Sequence, residues 1–161
     1  MNEHDVYLGN PNLKKANTQI EFTEEQIIEF LKCKEDPVYF ANNYMKIVSL
    51  DEGLVQFKPY DFQEKLINNF HENRFNICKM PRQTGKSTTS VSYLLHYCVF
   101  NDSVNIGILA NKAATARDLL GRLQTAYENL PKWMQQGIIS WNKGSLELEN
   151  GSKILAASTS A

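Results

Sequence analysis

The sequence predicts an α/β fold: a mostly parallel central sheet with flanking helices, entered through a small N-terminal helical subdomain. Three observations predict it. Short apolar runs of strand character, Phe75–Cys78 and Val104–Ala110, alternate with longer stretches whose apolar residues recur at helical spacing. Strand, helix, strand, helix is the order that a parallel sheet with crossover helices requires. The first of these strands runs into its helix through a glycine-bearing turn, Gly85-Lys86-Ser87. Finally, of 161 residues 42% are hydrophobic and 22% charged, enough apolar material for one core and too much for disorder.

Taken in order, residues 1–22 carry Gly9, Asn10, Pro11 and Asn12 without sustained periodicity and read as an irregular arm. Thr23-Glu24-Glu25-Gln26 has capping-box form and is followed by Ile27, Ile28 and Leu31, so a helix is expected over Thr23–Lys34. Asp36-Pro37 reads as cap and first position of a second helix through Tyr44. Gly53–Lys58 is a candidate strand, and Asp61–Phe70, with Phe62, Leu66, Ile67 and Phe70 on one face, an amphipathic helix. Val91, Leu94, Leu95, Cys98 and Val99 mark a helix over Lys86–Phe100. Ala116, Leu119, Leu120, Leu123, Ala126 and Tyr127 mark another that ends near Pro131. In the tail, Ile138–Trp141, Ser145–Leu148 and Ser152–Ala156 alternate apolar with polar around Asn142-Lys143-Gly144 and Asn150-Gly151, the pattern of hairpin strands on the edge of the sheet. The organisation is therefore an arm (1–22), a helical lead-in (23–58) and an α/β part (59–161).

Composition excludes several classes. The net charge of −1 gives no whole-chain electrostatic case for nucleic acid, so any DNA contact has to be local or lie outside the chain. Cys33, Cys78 and Cys98 are an odd set without C-x-x-C spacing, which suggests small core residues rather than disulfides or zinc ligands. Met1-Asn2-Glu3-His4-Asp5 is no signal peptide and no apolar run approaches membrane-spanning length, so a cytoplasmic protein is expected.

The chemistry sits in Pro81-Arg82-Gln83-Thr84-Gly85-Lys86-Ser87-Thr88. A helix N-terminus offers unpaired N–H groups and about half a positive charge, which suits a triphosphate. Gly85 lets the backbone come close, Lys86 adds a charge for the β- and γ-phosphates, and Ser87 supplies a hydroxyl for Mg²⁺. The full G-x-x-x-x-G-K-[ST] pattern would need glycine at Met80, and Pro81 removes one amide at the start of the loop. The strand-to-helix setting supplies the context that the motif needs and predicts a P-loop NTPase of the RecA-like (ASCE) class over 59–161, binding ATP with Mg²⁺. Its alternative is a lysine in an ordinary turn. Arg82, four residues before the lysine, is either a solvated charge or a side chain that folds over the γ-phosphate. Gln63, after Tyr60, Asp61 and Phe62, reads on its own as a surface glutamine; its amide would also suit an adenine edge, with an aromatic neighbour packed on the base.

Other features carry less. Asn111-Lys112 lacks the carboxylate of N-K-x-D, because Ala114 stands at the fourth position, so a guanine site is not expected and Lys112 starts a helix. Glu147 and Glu149 fall on a polar strand face and read as solvated charges rather than a metal pair. His4, His71 and His96 are scattered without metal-ligand spacing, and Trp133 and Trp141 read as anchors. A P-loop ATPase also needs an acidic residue at the end of a second apolar strand and a carboxylate to orient water. No run of four apolar residues followed by Asp or Glu occurs after residue 90. An incomplete motor domain is expected, ending before that strand: it binds ATP but hydrolyses it poorly alone.

Several blocks in order resemble the large terminase subunit of tailed bacteriophages, myovirus type, from about Tyr7 to the end. They are Tyr7-Leu8-Gly9-Asn10-Pro11-Asn12-Leu13-Lys14, Val38-Tyr39-Phe40-Ala41 and Tyr60-Asp61-Phe62-Gln63, then Arg82-Gln83-Thr84-Gly85-Lys86-Ser87-Thr88, Gly107-Ile108-Leu109-Ala110 and Trp141-Asn142-Lys143-Gly144-Ser145. The resemblance implies an ATP-driven motor, a homo-oligomeric ring, that packages double-stranded DNA into a procapsid through a portal protein, together with a small terminase subunit. It would work in the cytoplasm of the infected host, at the procapsid. The resemblance further implies a first loop glycine that is absent in the family too, a γ-phosphate-sensing or finger role for Arg82, catalytic roles for Lys86 and Arg82, and an adenine-motif role for Gln63. The family's separate nuclease domain, its Mg²⁺-binding aspartate and its catalytic glutamate have no counterparts here, so DNA cleavage is not expected. Two other readings stay open: a superfamily 2 helicase-like translocase, which shares a glutamine upstream of such a loop, and a non-catalytic nucleotide-binding or interaction module.

Overall fold

A computed structural model describes residues 5–49 and 51–159; His4 and the tail residues Ser160 and Ala161 lie outside them. The arm read as irregular begins instead with a hairpin of β1 (Val6–Tyr7) and β2 (Asn10–Lys14), antiparallel, with Val6 opposite Lys14 and Tyr7 opposite Asn10. Its turn, Leu8-Gly9, has φ of 45° and 78°, the double positive φ of a two-residue hairpin turn. Strands this short show no period in sequence. Tertiary contacts order them: Leu13 is buried, the Lys14 N–H donates to Gln135 Oε1 at 3.0 Å, and Gln135 Nε2 donates back to the Asn12 carbonyl at 2.9 Å.

Helix α1 (Glu24–Glu35) starts where expected, with Gln26 N–H donating to Thr23 Oγ1 and Thr23 N–H to Gln26 Oε1, two otherwise orphaned donors satisfied reciprocally. Its Ile27, Ile28 and Leu31 are exposed, while Phe30 and Cys33 face inward, so the stripe read from the sequence is not the buried one. Helix α2 (Pro37–Tyr44) is capped by Asp36, whose Oδ1 accepts from the N–H groups of Val38 and Tyr39. Strand β3 (Lys46–Ser49), not foreseen, pairs antiparallel with β4 (Gly53–Gln56). The latter ends two residues before the expected Lys58 because Phe57 turns into the core and donates its N–H to the Met45 carbonyl.

Helix α3 (Asp61–Glu72) buries Leu66 and Ile67. The strand expected over Phe75–Cys78 is absent: residues 75–80 have no regular structure, Phe75 is 82% exposed and Ile77 fully so. An apolar run becomes a strand only where another strand takes up its amides, and none of the described strands lies against it. Cys78 is exposed with this segment, whereas Cys33 and Cys98 are core residues as read.

Helix α4 (Lys86–Phe100), strand β5 (Asn105–Ala110) and helix α5 (Ala113–Glu128) follow the expectation closely. The tail forms β6 (Ile138–Trp141), β7 (Ser145–Leu148) and β8 (Lys153–Ser158), in a four-stranded sheet ordered β5-β8-β7-β6. Only β5 and β8 pair in parallel; β8–β7 and β7–β6 are antiparallel. The described sheet is therefore mixed, not mostly parallel, and the tail strands are most of it rather than an edge. Turns at Asn142-Lys143-Gly144 and Asn150-Gly151 join neighbours directly, which only antiparallel pairing allows. The core lies between one sheet face (Ile108, Leu146, Leu148, Ile154) and the helices above it (Leu95, Val99, Leu120, Leu123, Tyr127). Phe40, His96 and Phe100 join the lead-in helices to that core through ring contacts of 5.0–5.6 Å between centroids. No helix among the described residues is long and apolar enough to cross a membrane.

Candidate functional site

Helix α4 begins abruptly. Gly85, at φ 73°, is its N-cap and contributes no side-chain acceptor, and the first turn has no acidic residue. The Gly85 carbonyl takes the Thr89 N–H at 2.9 Å and the Thr89 hydroxyl at 3.0 Å, which closes the first turn. The opening N–H groups, around Lys86, Ser87 and Thr88, have no intrahelical acceptor by the geometry of any α-helix, and the N-cap offers them no side chain. Together they form the positive end of the helix dipole.

The preceding loop folds back on itself. The Pro81 carbonyl accepts from both the Thr84 hydroxyl (3.0 Å) and the Lys86 ammonium (3.1 Å). Gln83 takes φ 61°, which a non-glycine residue adopts only where the surroundings dictate it. Arg82 and Gln83 are exposed, whereas Thr84 through Thr88 are largely half-buried. Arg82 makes none of the ion pairs found among the described residues.

Gln63 is not a surface residue: it is 4% exposed. Its Oε1 accepts from the Tyr60 N–H at 2.9 Å and its Nε2 donates to the Thr84 carbonyl at 3.1 Å, tying the start of α3 to the loop. A Cβ built on Gly85 would lie 2.4 Å from Gln63 Nε2, so position 85 excludes a side chain by close approach as well as by its left-handed backbone. A groove of about 590 Å³ opens beside the loop, with Gln63, Gln83, Thr84 and Thr88 on one side and Val55 and Phe57 on the other. At its rim Tyr60 and Phe62 are stacked, 5.9 Å between centroids and 11° between planes, so Phe62 leaves the buried face of α3 expected for it. A second cavity of about 220 Å³ behind the loop is lined by Cys78, Lys86, Ser87, Leu94 and Ile108.

The structure thus brings together Gln63 and the loop residues Gln83 through Thr88, and leaves Arg82 exposed beside them, outside the ion pairs of the described residues. The sequence did not reveal the wall formed by the β3–β4 hairpin; its one signal was the Leu54, Val55, Phe57 pattern. The expectation for Glu147 and Glu149 is corrected in part. Glu147 pairs with Lys153 at 2.8 Å, but Glu149 is a half-buried anchor rather than a solvated charge. It pairs with Lys14 at 3.0 Å and accepts the N–H groups of Gly137 (2.6 Å) and Asn17 (2.9 Å). Burial alone would raise its pKa; the Lys14 ammonium and the two amides outweigh that and hold it below the usual glutamate value. Lys112 caps α5 through its carbonyl, as read.

Residues 77–161, more than half of the chain, match the family described as terminase large subunit, T4likevirus-type, N-terminal. The match takes in the whole loop and the mixed sheet.

Proposed function

We propose that the chain supplies the nucleotide-binding loop of the machine to which it belongs: it is a member of the T4likevirus-type terminase large subunit family, and so a component of a viral DNA-packaging motor. The observation that carries the proposal is the uncapped start of α4, with Gly85 in the left-handed region and the Lys86 ammonium held within the loop on the Pro81 carbonyl. Amides, helix dipole and ammonium converge there, the combination that cradles a polyphosphate. On this reading the fold around it is that of a P-loop NTPase and the ligand is ATP.

Each residue then has a task. Lys86 exchanges the neutral Pro81 carbonyl for β- and γ-phosphate oxygens, a stronger, charge-assisted bond. Gln83, Thr84, Gly85, Ser87 and Thr88 line the path of the phosphates with backbone and hydroxyl groups. Arg82, exposed and outside the described ion pairs, is able to swing over the γ-phosphate and balance charge as the bond breaks. Tyr60 and Phe62 offer an aromatic shelf on the side of the groove where a base would lie. The residue that would hold Mg²⁺ is Ser87, whose half-buried hydroxyl is a hard oxygen donor of the kind the ion takes. When bound, the ion would neutralise phosphate charge.

Within the motor we propose that ATP hydrolysis by a homo-oligomeric ring drives double-stranded DNA into a procapsid, with a portal protein and a small terminase subunit as partners, in the cytoplasm of the infected host. No run of four apolar residues followed by Asp or Glu occurs after residue 90, so these 161 residues on their own are proposed to bind ATP and not to turn it over at a motor's rate. Calorimetric titration with ATP and Mg²⁺ tests the reading. Lys86→Ala is expected to lose roughly 10- to 100-fold in affinity, the worth of one charge-assisted bond. Equal affinity in both proteins would replace it with a non-catalytic interaction module.

A further inference from the structure

We propose that the groove between β3 and α5 takes an extended, acidic peptide segment of a partner protein, bound as a third strand on the open edge of β3. The proposal does not depend on the nucleotide reading. Strand β3 pairs with β4 in a two-stranded sheet, so among the described residues its other edge carries no strand. In an antiparallel pair alternate residues turn their N–H and C=O groups to that outer edge. Outside the pairing with β4, the backbone of Lys46–Ser49 makes no backbone hydrogen bond among the described residues. The groove follows this edge. It measures about 550 Å³ and is lined by the consecutive residues Lys46, Ile47 and Val48 and by no residue of β4. Neighbours in a strand point to opposite faces, so three in a row mark a wall made by the edge rather than by one face.

The floor and the opposite wall decide what fits. Met45 and Val91, 1% and 2% exposed, supply buried apolar surface. Gly121 of α5 stands in the far wall, and a Cβ built on it meets nothing within 4 Å. A glycine inside a helix forfeits stability that another residue would keep, and here the space that a side chain could fill stays open. Charge in the groove is positive on balance: Lys46 is in none of the ion pairs among the described residues, and Arg122 gives only its Nε–H to Asp118, at 3.0 Å, which leaves its terminal N–H groups to spare. A strand laid along β3 turns alternate side chains toward the floor and away from it. The matching segment therefore alternates apolar with acidic residues, the first on Met45 and Val91, the second at Lys46 and Arg122. Main-chain bonds to the edge supply affinity and the charges select the partner. The groove beside the phosphate loop shares Ile47 and Thr88 with this one and none of its charged residues, so the two are neighbours and not one site.

Fluorescence anisotropy with a labelled pentapeptide of alternating valine and glutamate tests the proposal. Wild type is expected to bind it with a Kd on the order of 100 µM, and to bind the valine–lysine counterpart at least about tenfold more weakly. Gly121→Leu fills the groove from a position with room for the side chain, and should abolish binding while the melting temperature holds or rises. Lys46→Glu should weaken the acidic peptide about tenfold and spare the basic one. Methylating alternate peptide nitrogens keeps every side chain and removes strand pairing; that peptide should fail to bind, and amide exchange of residues 46–49 should slow with the unmethylated one alone. No binding by wild type up to about 1 mM, equal binding of the basic or methylated peptide, or full binding by folded Gly121→Leu overturns the proposal. Should Gly121→Leu unfold, Lys46→Glu decides, and unchanged affinity there is equally fatal. A wild-type dimer in sedimentation that Gly121→Leu splits would put a second copy of the chain in the groove and overturn the acidic partner.

Discussion

The loop around Gly85 and the junction around Glu149 are both polar and both half-buried, yet they handle their hydrogen bonds in opposite ways. At Glu149, carboxylate, ammonium and two backbone amides satisfy one another, and a hairpin from the start of the chain is locked to the far end of the sheet. At Gly85 the helix amides stay uncapped and the lysine rests on a neutral carbonyl. The first arrangement is finished and serves stability. The second keeps bonding capacity in reserve, which is what the proposed ligand site needs.

The comparison breaks first at the junction. Glu149→Ala leaves Lys14 and two amides unserved, so chemical denaturation should show a loss of about 3 kcal/mol, with ATP affinity unchanged. A loss of affinity instead would mean that the junction and the loop are coupled.

Acidification sharpens the same point. Burial pushes the His96 pKa down to about 4 against a usual 6.5, so the unfolded chain binds the proton first and stability falls as pH drops from 6.5 to about 4. The fall should approach about 3 kcal/mol and vanish in His96→Phe, as followed by thermal melting between those pH values. Glu149, held below the usual glutamate value of 4.5, contributes stability above that value that is lost at still lower pH as the folded carboxyl protonates; Glu149→Gln should remove this second, more acidic part.

A smaller effect is expected at Lys86. Whatever it does to nucleotide binding, Lys86→Ala should shift unfolding by less than about 0.5 kcal/mol, because its contact with Pro81 is exposed. Smallest of all, Leu8→Asn should stabilise by a few tenths of a kcal/mol, because asparagine tolerates a left-handed φ of 45° better than leucine does, readable as a raised melting temperature.

What the sequence disclosed and what it hid divides along locality. Caps, the turn at Gly85 and the helices after it depend on neighbours within four residues, and Thr23, Asp36 and α4 stand where those signals put them. Phe75–Cys78 had the right residues for a strand, but pairing is supplied from elsewhere in the chain. The mixed sheet was hidden for the same reason, since parallel or antiparallel is a property of the partner. Gln63 was visible as a residue and illegible as a contact, its acceptor being a carbonyl 21 residues away. Glu149 was misassigned by carrying strand alternation one residue past the end of β7, where the chain bends and delivers the carboxylate to Lys14.

The resting place of Lys86 also bears on speed. Its ammonium already holds the Pro81 oxygen, so on the proposed reading an arriving polyphosphate would compete with an internal occupant. Capture would then have two stages, encounter and handover. The observed rate of loading should climb with ligand concentration and then level off at the rate at which the lysine lets go.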